Sequence, residues 1–139
     1  MYTIDYIFKA RTLINHLFPI LYSSGRPNQI PYKVNHDEEA QKFIIQLDPK
    51  DETVIAYLKY EFEHYNPSDN HRKIVNLLST VVPKEQEGKG IAKILANAAF
   101  EHCARNNLYM KLTCWYLDGY LKRNPNPRYN HLIVESKST

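Results

Sequence analysis

The chain has little of what defines several large classes of protein. Only two of its 139 residues are cysteines, Cys103 and Cys114, which is too few for a disulfide framework or a four-ligand zinc site. It has only four glycines, and its apolar fraction of 43% is close to that of globular proteins. These values exclude collagen-like repeats and argue against disorder along the whole length. We therefore expect one compact domain without a structural metal.

Long apolar runs are missing as well. No stretch approaches the roughly 18 consecutive apolar residues that a membrane-spanning helix requires. The longest apolar run near the N-terminus covers residues 17–22, and Pro19 interrupts it, so it is too short for a secretory signal. The sequence predicts no membrane association and an intracellular, cytoplasmic protein.

A strong charge of one sign is the third absence. The formal net charge is +3, and residues 32–110 carry ten basic and twelve acidic side chains. Both ends are basic, with three basic and one acidic side chain in residues 1–31, and five basic and two acidic in residues 111–139. Because no broad basic face is indicated, we expect no nucleic-acid partner. The pattern leaves room for a local site that binds an anionic ligand near the C-terminal end.

The chain divides into an N-terminal extension, residues 1–30, and a body, residues 31–139. In the extension, apolar residues recur at roughly helical spacing between residues 4 and 21, and residues 23–28 have the composition of a linker. Its basic excess faintly resembles a mitochondrial presequence. The alternative is a disordered or loosely docked extension, and the sequence leaves both open.

The body contains both strand-like and helix-like segments, which predict a mixed α+β domain. Residues 54–62 place Val54, Ala56, Leu58, Tyr60 and Phe62 on one face of a strand. Apolar residues from Ile91 to Ala99 follow the spacing of an amphipathic helix. The predicted order is strands at 34–37, 42–47, 54–62 and 74–82, a helix at 90–105, a strand at 111–115 and a short helix at 116–123.

The segment between residues 81 and 92 carries the clearest chemical signal. A strand runs into a loop with two glycines, Gly88 and Gly90, and the loop leads directly into the long helix. The first amides of a helix lack internal partners, and together with the helix dipole they favour a bound phosphate. The spacing fits neither a Walker A loop nor a dinucleotide fingerprint, because Lys93 stands where the fingerprint has its third glycine.

This segment resembles the pyrophosphate loop of the GNAT superfamily of acyl-CoA-dependent N-acyltransferases, whose pattern is Arg/Gln-x-x-Gly-x-Gly/Ala. The chain resembles most closely the small single-domain branch called the N-acetyltransferase-domain-containing or YjdJ-like proteins. The match covers about residues 32–131, and its most specific part is Cys114-Trp115-Tyr116 followed by Tyr120 and Asn124-Pro125. Further parts are residues 34–37, 43–47, 79–83 and 88–92.

The resemblance implies a GNAT-like α+β fold with a splayed central sheet and acetyl-CoA in the wedge between strands four and five. The pantetheine arm would pair with the backbone of Thr80, Val81 and Val82, and an amide near Val81 would polarise the thioester carbonyl. An unidentified amine would attack this carbonyl directly. The pyrophosphate would bind the amides of Glu87, Gly88, Lys89, Gly90, Ile91 and Ala92.

The same resemblance implies two catalytic candidates. Tyr120 fits the general acid that protonates the leaving thiolate, and the alternative is an aromatic residue packed on the sheet. Cys114, expected at the end of strand five, would act as base or nucleophile, or would be a small buried core residue. Cys103 fits plain packing in the long helix. Tyr116 would line the acceptor groove or cap the core.

Two departures from the family pattern keep a second interpretation open. Glu85 occupies the first position of the loop, normally Arg or Gln, and Glu87 adds a second carboxylate near the expected phosphate. Strand four also lacks the carboxylate that serves many GNAT enzymes as general base. The alternative function is therefore a catalytically weak CoA-binding module or a protein-interaction domain on the same scaffold.

The histidines indicate structure rather than metal chemistry. His64 and His71 flank a predicted polar loop and lack further ligands in suitable spacing. His36 and Asp37 fit a strand that ends in a capped turn. His102 lies on the apolar stripe of the long helix, where we expect a core histidine with its hydrogen bonds satisfied.

Overall fold

A computed structural model describes residues 32–63 and 73–135. Predictions about residues 1–31, about the loop at residues 64–72 and about residues 136–139 lie outside the described residues. The strands and helices are β1 (Val34–Asp37), β2 (Lys42–Asp48), β3 (Asp51–Phe62), β4 (Ile74–Val81), α1 (Ile91–Arg105), β5 (Tyr109–Leu112), α2 (Trp115–Arg123) and α3 (Pro127–Asn130). A 3₁₀ turn at Lys84–Gln86 joins β4 to the glycine loop.

One five-stranded sheet holds the strands in the order β1-β2-β3-β4-β5. The first four are antiparallel neighbours, which short connections can join, whereas β4 and β5 are parallel. A parallel pair needs a crossover, and α1 supplies it. This arrangement confirms the α+β fold class and places the glycine loop after the end of β4 that extends beyond its pairing with β5.

The core lies between one face of the sheet and α1. Ala56, Leu58 and Tyr60 alternate along β3 and are at most 3% exposed, as the two-residue period of the strand requires. From α1, Leu95, Ala99 and Phe100 are fully buried against this face. The alternation predicted for β3 and the helical period predicted for α1 are both confirmed.

The prediction for β5 is wrong in its boundaries. The strand covers Tyr109–Leu112 instead of residues 111–115, because its parallel pairing with β4 begins at Ile74 and ends at Leu77. Cys114 is therefore not the last residue of a strand; it is the N-cap of α2, which begins at Trp115. The segment after α2 contains the short helix α3, whose Asn126 cap accepts a hydrogen bond from the Arg128 amide.

A cluster of rings fixes α1 against β1, β2 and β3. His36 is 3% exposed, and its Nε2 lies 2.8 Å from the hydroxyl of Tyr60. The His36 ring stacks on Phe43 at 4.3 Å and meets the edge of His102 at 4.4 Å. Burial, with a smaller contribution from Glu38, raises the pKa of Tyr60 to about 12. His102 is only half-buried, so it packs on the rim of the core rather than inside it as expected. The expected turn cap is confirmed, because Asp37 accepts a hydrogen bond from the Ala40 amide.

Glu101 on α1 fastens the C-terminal segment to the body. Its carboxylate accepts hydrogen bonds from Arg105, from two nitrogens of Arg128 and from the Tyr129 hydroxyl, at distances of 2.8–3.1 Å. Burial works to raise the pKa of Glu101, but these hydrogen bonds outweigh it and hold the pKa below its usual value. The C-terminal segment then covers the outer edge of β5, where Met110 bridges to Ile133.

We expect Glu101→Gln to lower the free energy of unfolding by about 1–2 kcal/mol, because charge-assisted hydrogen bonds become neutral ones. Since the folded-state pKa is lowered, the contribution is present above the ordinary value of 4.5 and is lost as the pH falls through the folded pKa. Urea unfolding at pH 7 and at pH 3.5 measures both effects. The exposed Glu52 provides the matched control. An equal loss in Glu52→Gln, or a loss independent of pH, would contradict this role for Glu101.

Candidate active site

The site begins where β4 and β5 separate. Their pairing ends with Leu77 opposite Leu112. The Leu77 carbonyl then accepts two amides, from Thr113 at 3.1 Å and from Cys114 at 2.9 Å. We call Leu77, Thr113 and Cys114 the separation point. Beyond it, β4 continues to Val81 with β3 as its only partner strand among the described residues, so its other edge is open for hydrogen bonding.

A bulge in β4 lies directly at this separation point. Tyr60 pairs with Leu77 and Lys59 with Ser79, so Leu78 is an extra residue without an opposite partner on β3. A bulge bends the strand and reorients its backbone groups. The reoriented part of β4 is therefore the stretch with the open edge. Sequence analysis expected a polarising amide near Val81; the irregular geometry begins three residues earlier, at Leu78.

The glycine loop connects this open edge to α1. Gly88 and Gly90 have φ values of +78° and +79°, a conformation that side chains with a Cβ rarely adopt. Gly90 is the N-cap of α1 and offers no side-chain hydrogen bond to the first turn. A Cβ built on Gly88 would meet no atom within 4 Å, so the space above the loop is open. The two glycines leave the helix N-terminus accessible.

The loop amides differ in their availability. The first α1 amide to bond backward is that of Ile94, which donates to the Gly90 carbonyl at 3.1 Å, so Ile91 and Ala92 precede the helical ladder. The Glu87 amide instead donates to the Lys84 carbonyl at 3.2 Å. Lys89 hydrogen-bonds Gln86 at 2.7 Å. Of the amides expected to bind an anion at this loop, that of Glu87 therefore already has an acceptor within the protein.

Two predicted residues meet inside the wedge. The hydroxyl of Thr80, on β4, lies 3.6 Å from the Cys114 Sγ. Thr80 lies opposite the buried Leu58, so it faces α1, and Cys114 is 5% exposed. The thiol is thus held beside the open edge of β4. Cys103 is elsewhere, buried in α1, where burial raises its pKa to about 12.

Two tyrosines of α2, Tyr116 and Tyr120, stack on one another between Cys114 and α1. Tyr120 stacks between Phe100 and Tyr116 at 6.4 and 6.1 Å, and its hydroxyl donates to Asn97 at 3.5 Å. Its phenol therefore points toward α1. Burial raises the pKa of Tyr116, with smaller contributions that include Tyr120 and the Cys114 thiol. Tyr116 therefore lies near both Tyr120 and Cys114, a proximity that the sequence did not indicate.

Comparison with known proteins identifies the family. A profile described as GCN5-related N-acetyltransferase matches residues 42–132, well over half of the chain and including the whole wedge and glycine loop. The chain belongs to this family. The resemblance stated from the sequence is confirmed.

Individual relatives agree with this assignment. Protein NATD1 of Bos taurus is 36% identical over 112 residues, which is 80% of this chain and 91% of that protein. Protein NATD1 of Mus musculus is 37% identical over 71% of this chain and 82% of its own length. A solution structure of a GCN5-like protein from Staphylococcus aureus superposes with a TM-score of 0.51 at 24% identity, covering 76% and 91% of the two chains. The last match supports the fold alone.

Within residues 32–63 and 73–135, no group of three or more histidine, cysteine, aspartate or glutamate side chains could hold a metal ion. No helix in the described part of the chain is long and apolar enough to cross a bilayer. Trp115 is 83% exposed at the start of α2, so its indole contributes little to packing and is available to a bound molecule.

Sequence reasoning missed one pair at the site. The Thr113 hydroxyl donates a hydrogen bond of 2.6 Å to the Asn76 side chain, and Asn76 is 7% exposed in the middle of β4. The available signal was an asparagine between Val75 and Leu77 in a buried strand, where such a residue is disfavoured unless its amide is satisfied. The partner could not be identified, because 37 residues separate the two positions.

Proposed function

We propose that this protein transfers an acetyl group from acetyl-CoA to the nitrogen of an amine. The observation that carries the proposal is the continuity of three features: the open edge of β4, the glycine loop and the uncapped N-terminus of α1. This combination offers an extended backbone edge that ends at an anion site, which matches the pantetheine and pyrophosphate parts of acetyl-CoA. The membership in the GCN5-related family supports the same chemistry.

The residues present fit this co-substrate. The amides of Gly88–Ala92 would bind the pyrophosphate, since the space above Gly88 is open and no side chain caps the helix. The backbone of Thr80, Val81 and Val82 would bind the pantetheine arm along the edge that β5 leaves free. Lys84, Lys89 and Lys93 place positive charge around the loop and offset Glu85 and Glu87.

The reaction needs a hydrogen-bond donor to the thioester oxygen, an acceptor for the proton of the attacking nitrogen and a proton donor for the leaving thiolate. An amide at the reoriented part of β4, between Leu78 and Val81, would donate to the thioester oxygen as the amine nitrogen attacks the carbonyl carbon. The carbon–nitrogen bond forms and the carbon–sulfur bond breaks, while the nitrogen of the neutral amine releases one proton and the leaving thiolate takes one. Tyr120 is the proposed acid. Cys114 is the second candidate for proton transfer, since its thiol lies beside the open edge of β4.

Calorimetric titration with acetyl-CoA tests the binding half of the proposal. We expect saturable binding below about 1 mM, the upper range of ordinary KM values. Free CoA should compete for the same site. No heat at millimolar acetyl-CoA would eliminate both the acetyltransferase and the weak CoA-binding alternative, and it would favour the protein-interaction domain.

A thiol-release assay with a panel of amines tests the chemical half. If Cys114 or Tyr120 transfers a proton, Cys114→Ala or Tyr120→Phe lowers kcat/KM by about 10²-fold or more, the usual share of general acid–base catalysis. Cys103→Ala is the control for the first change and Tyr57→Phe, on the opposite face of the sheet, for the second. Tyr116→Phe decides between the two stacked tyrosines. Unchanged turnover in Cys114→Ala and Tyr120→Phe would show that these roles are wrong, even if the enzyme class is right.

A further inference from the structure

Thr113 and Cys114, the two residues that follow β5, contact side chains of β4 on both faces of the sheet. Asn76 lies opposite the exposed Glu61, so its side chain is on the face away from α1, where it accepts the Thr113 hydroxyl at 2.6 Å. Thr80 is on the α1 side, where it contacts the Cys114 Sγ at 3.6 Å. The consecutive residues Thr113 and Cys114 therefore straddle the edge of β4. We call the Asn76–Thr113 hydrogen bond the outer clamp.

The backbone alone would hold this turn less firmly. Two amides share the single Leu77 carbonyl, and no further strand pairing follows after Leu112. A carbonyl oxygen has two lone pairs and can accept both amides, but the two bonds then converge on one atom of β4. The hydrogen bond between the side chains of Asn76 and Thr113 adds a second point of attachment on the outer face. Because Cys114 follows Thr113 directly, the outer clamp also sets the position of the thiol.

The composition of the clamp supports a specific role. Asparagine is disfavoured in strand interiors, yet Asn76 is 7% exposed between two buried apolar residues. No fully buried side-chain nitrogen or oxygen in the described residues lacks a partner, and the Oδ1 of Asn76 accepts the hydrogen bond from Thr113. A valine at this position would have a higher β propensity and would leave the backbone hydrogen bonds of the sheet unchanged. What asparagine adds is the bond to Thr113.

We propose that Asn76 and Thr113 are positioning residues for acetyl transfer: their hydrogen bond holds Cys114 and the mouth of the wedge in register with the open edge of β4. The inference rests on the proposed function. Neither side chain touches the glycine loop, so binding of the phosphates is independent of the clamp. Its loss should therefore affect the chemical step more than the affinity for acetyl-CoA.

Thr113→Val tests the clamp, because it removes the hydroxyl while keeping the shape of an exposed side chain. We expect alkylation of Cys114 by iodoacetamide to become about fivefold faster, the factor that corresponds to a hydrogen bond of about 1 kcal/mol. Peptide mass spectrometry follows Cys103 in the same sample. This thiol is 1% exposed in α1 and should keep its rate. In the thiol-release assay, kcat should fall about tenfold or more, with KM for acetyl-CoA changed less than about twofold.

Two variants provide the controls. Thr113→Ser restores a hydroxyl and should recover both the slow alkylation of Cys114 and the wild-type kcat. Thr53→Val removes another exposed hydroxyl, which donates a 2.6 Å bond to Asp51 in the β2–β3 hairpin, and should change neither quantity.

Several outcomes would overturn the proposal. Equal acceleration of both thiols would indicate general loosening of the fold, and failure of Thr113→Ser to restore the wild type would exclude the hydroxyl as the cause. An unchanged kcat in Thr113→Val would refute the positioning role even if Cys114 became more reactive. The alkylation measurement needs no acetyl-CoA. Absence of binding and turnover in the wild type would therefore refute the proposed function separately, and with it the catalytic consequence of the clamp.

Discussion

Gly88→Val should lower the affinity for acetyl-CoA by at least about a hundredfold. The space above Gly88 is open, and a valine side chain there would cover the amides that precede α1. Loss of one or two hydrogen bonds to a charged phosphate group, at about 1.5–3 kcal/mol each, accounts for an effect of this size. Calorimetric titration of both proteins measures it. The effect is large because the anion site is built from backbone, which no neighbouring side chain can replace.

The stability of Gly88→Val has to be measured beside its affinity. A φ of +78° costs a residue with a Cβ about 1–2 kcal/mol, so some loss of folding free energy is expected. Asparagine tolerates this conformation better. Gly88→Asn should therefore unfold nearly as the wild type does and still bind acetyl-CoA at least tenfold more weakly. If both variants bind acetyl-CoA normally, the pyrophosphate does not lie on this loop.

Most of the fold could be predicted because the signals for it are local. The alternation along β3 and the period of α1 follow from residues within about ten positions of one another, and both elements are confirmed. The boundaries of β5 could not be predicted this way. They depend on parallel pairing with Ile74–Leu77, more than thirty residues earlier, and on the Leu77 carbonyl that ends the ladder.

The candidate site likewise has features that the local sequence predicts and contacts between distant residues that it does not predict. Gly88 and Gly90 could be singled out because a left-handed loop that leads into a helix requires glycine, and both φ values are positive. The contact between Thr80 and Cys114 joins residues 34 positions apart, and only the family resemblance brought these two residues into one site beforehand. The outer clamp spans 37 positions and belongs to no motif, so only the packed sheet reveals it.

Alkaline instability is the second large effect that we expect. Burial raises the pKa of Cys103 from 9.0 to about 12, and that of Tyr60 from 10.0 to about 12. Above pH 9 the unfolded chain releases these protons more readily than the folded chain does, so stability falls as the pH rises. The two groups together lower the free energy of unfolding by about 4 kcal/mol between pH 8 and pH 11. Most domains have only about 5–15 kcal/mol in total, so urea midpoints should fall steeply in this range.

Cys103→Ala separates the two contributions. Cys103 is 1% exposed with no charged neighbour among the causes of its pKa shift, so alanine removes its titration at the cost of a small cavity. The loss between pH 8 and pH 11 should shrink to the smaller share of Tyr60, whose raised pKa depends mainly on burial and only in lesser part on Cys103. Tyr60→Phe should instead flatten the dependence above pH 10, from a lower starting stability, because the hydrogen bond between Tyr60 and His36 is lost. If Cys103→Ala left the slope between pH 9 and pH 11 unchanged, burial of this thiol would not govern the alkaline limit, and the packing of α1 on the sheet would be looser than its buried residues indicate.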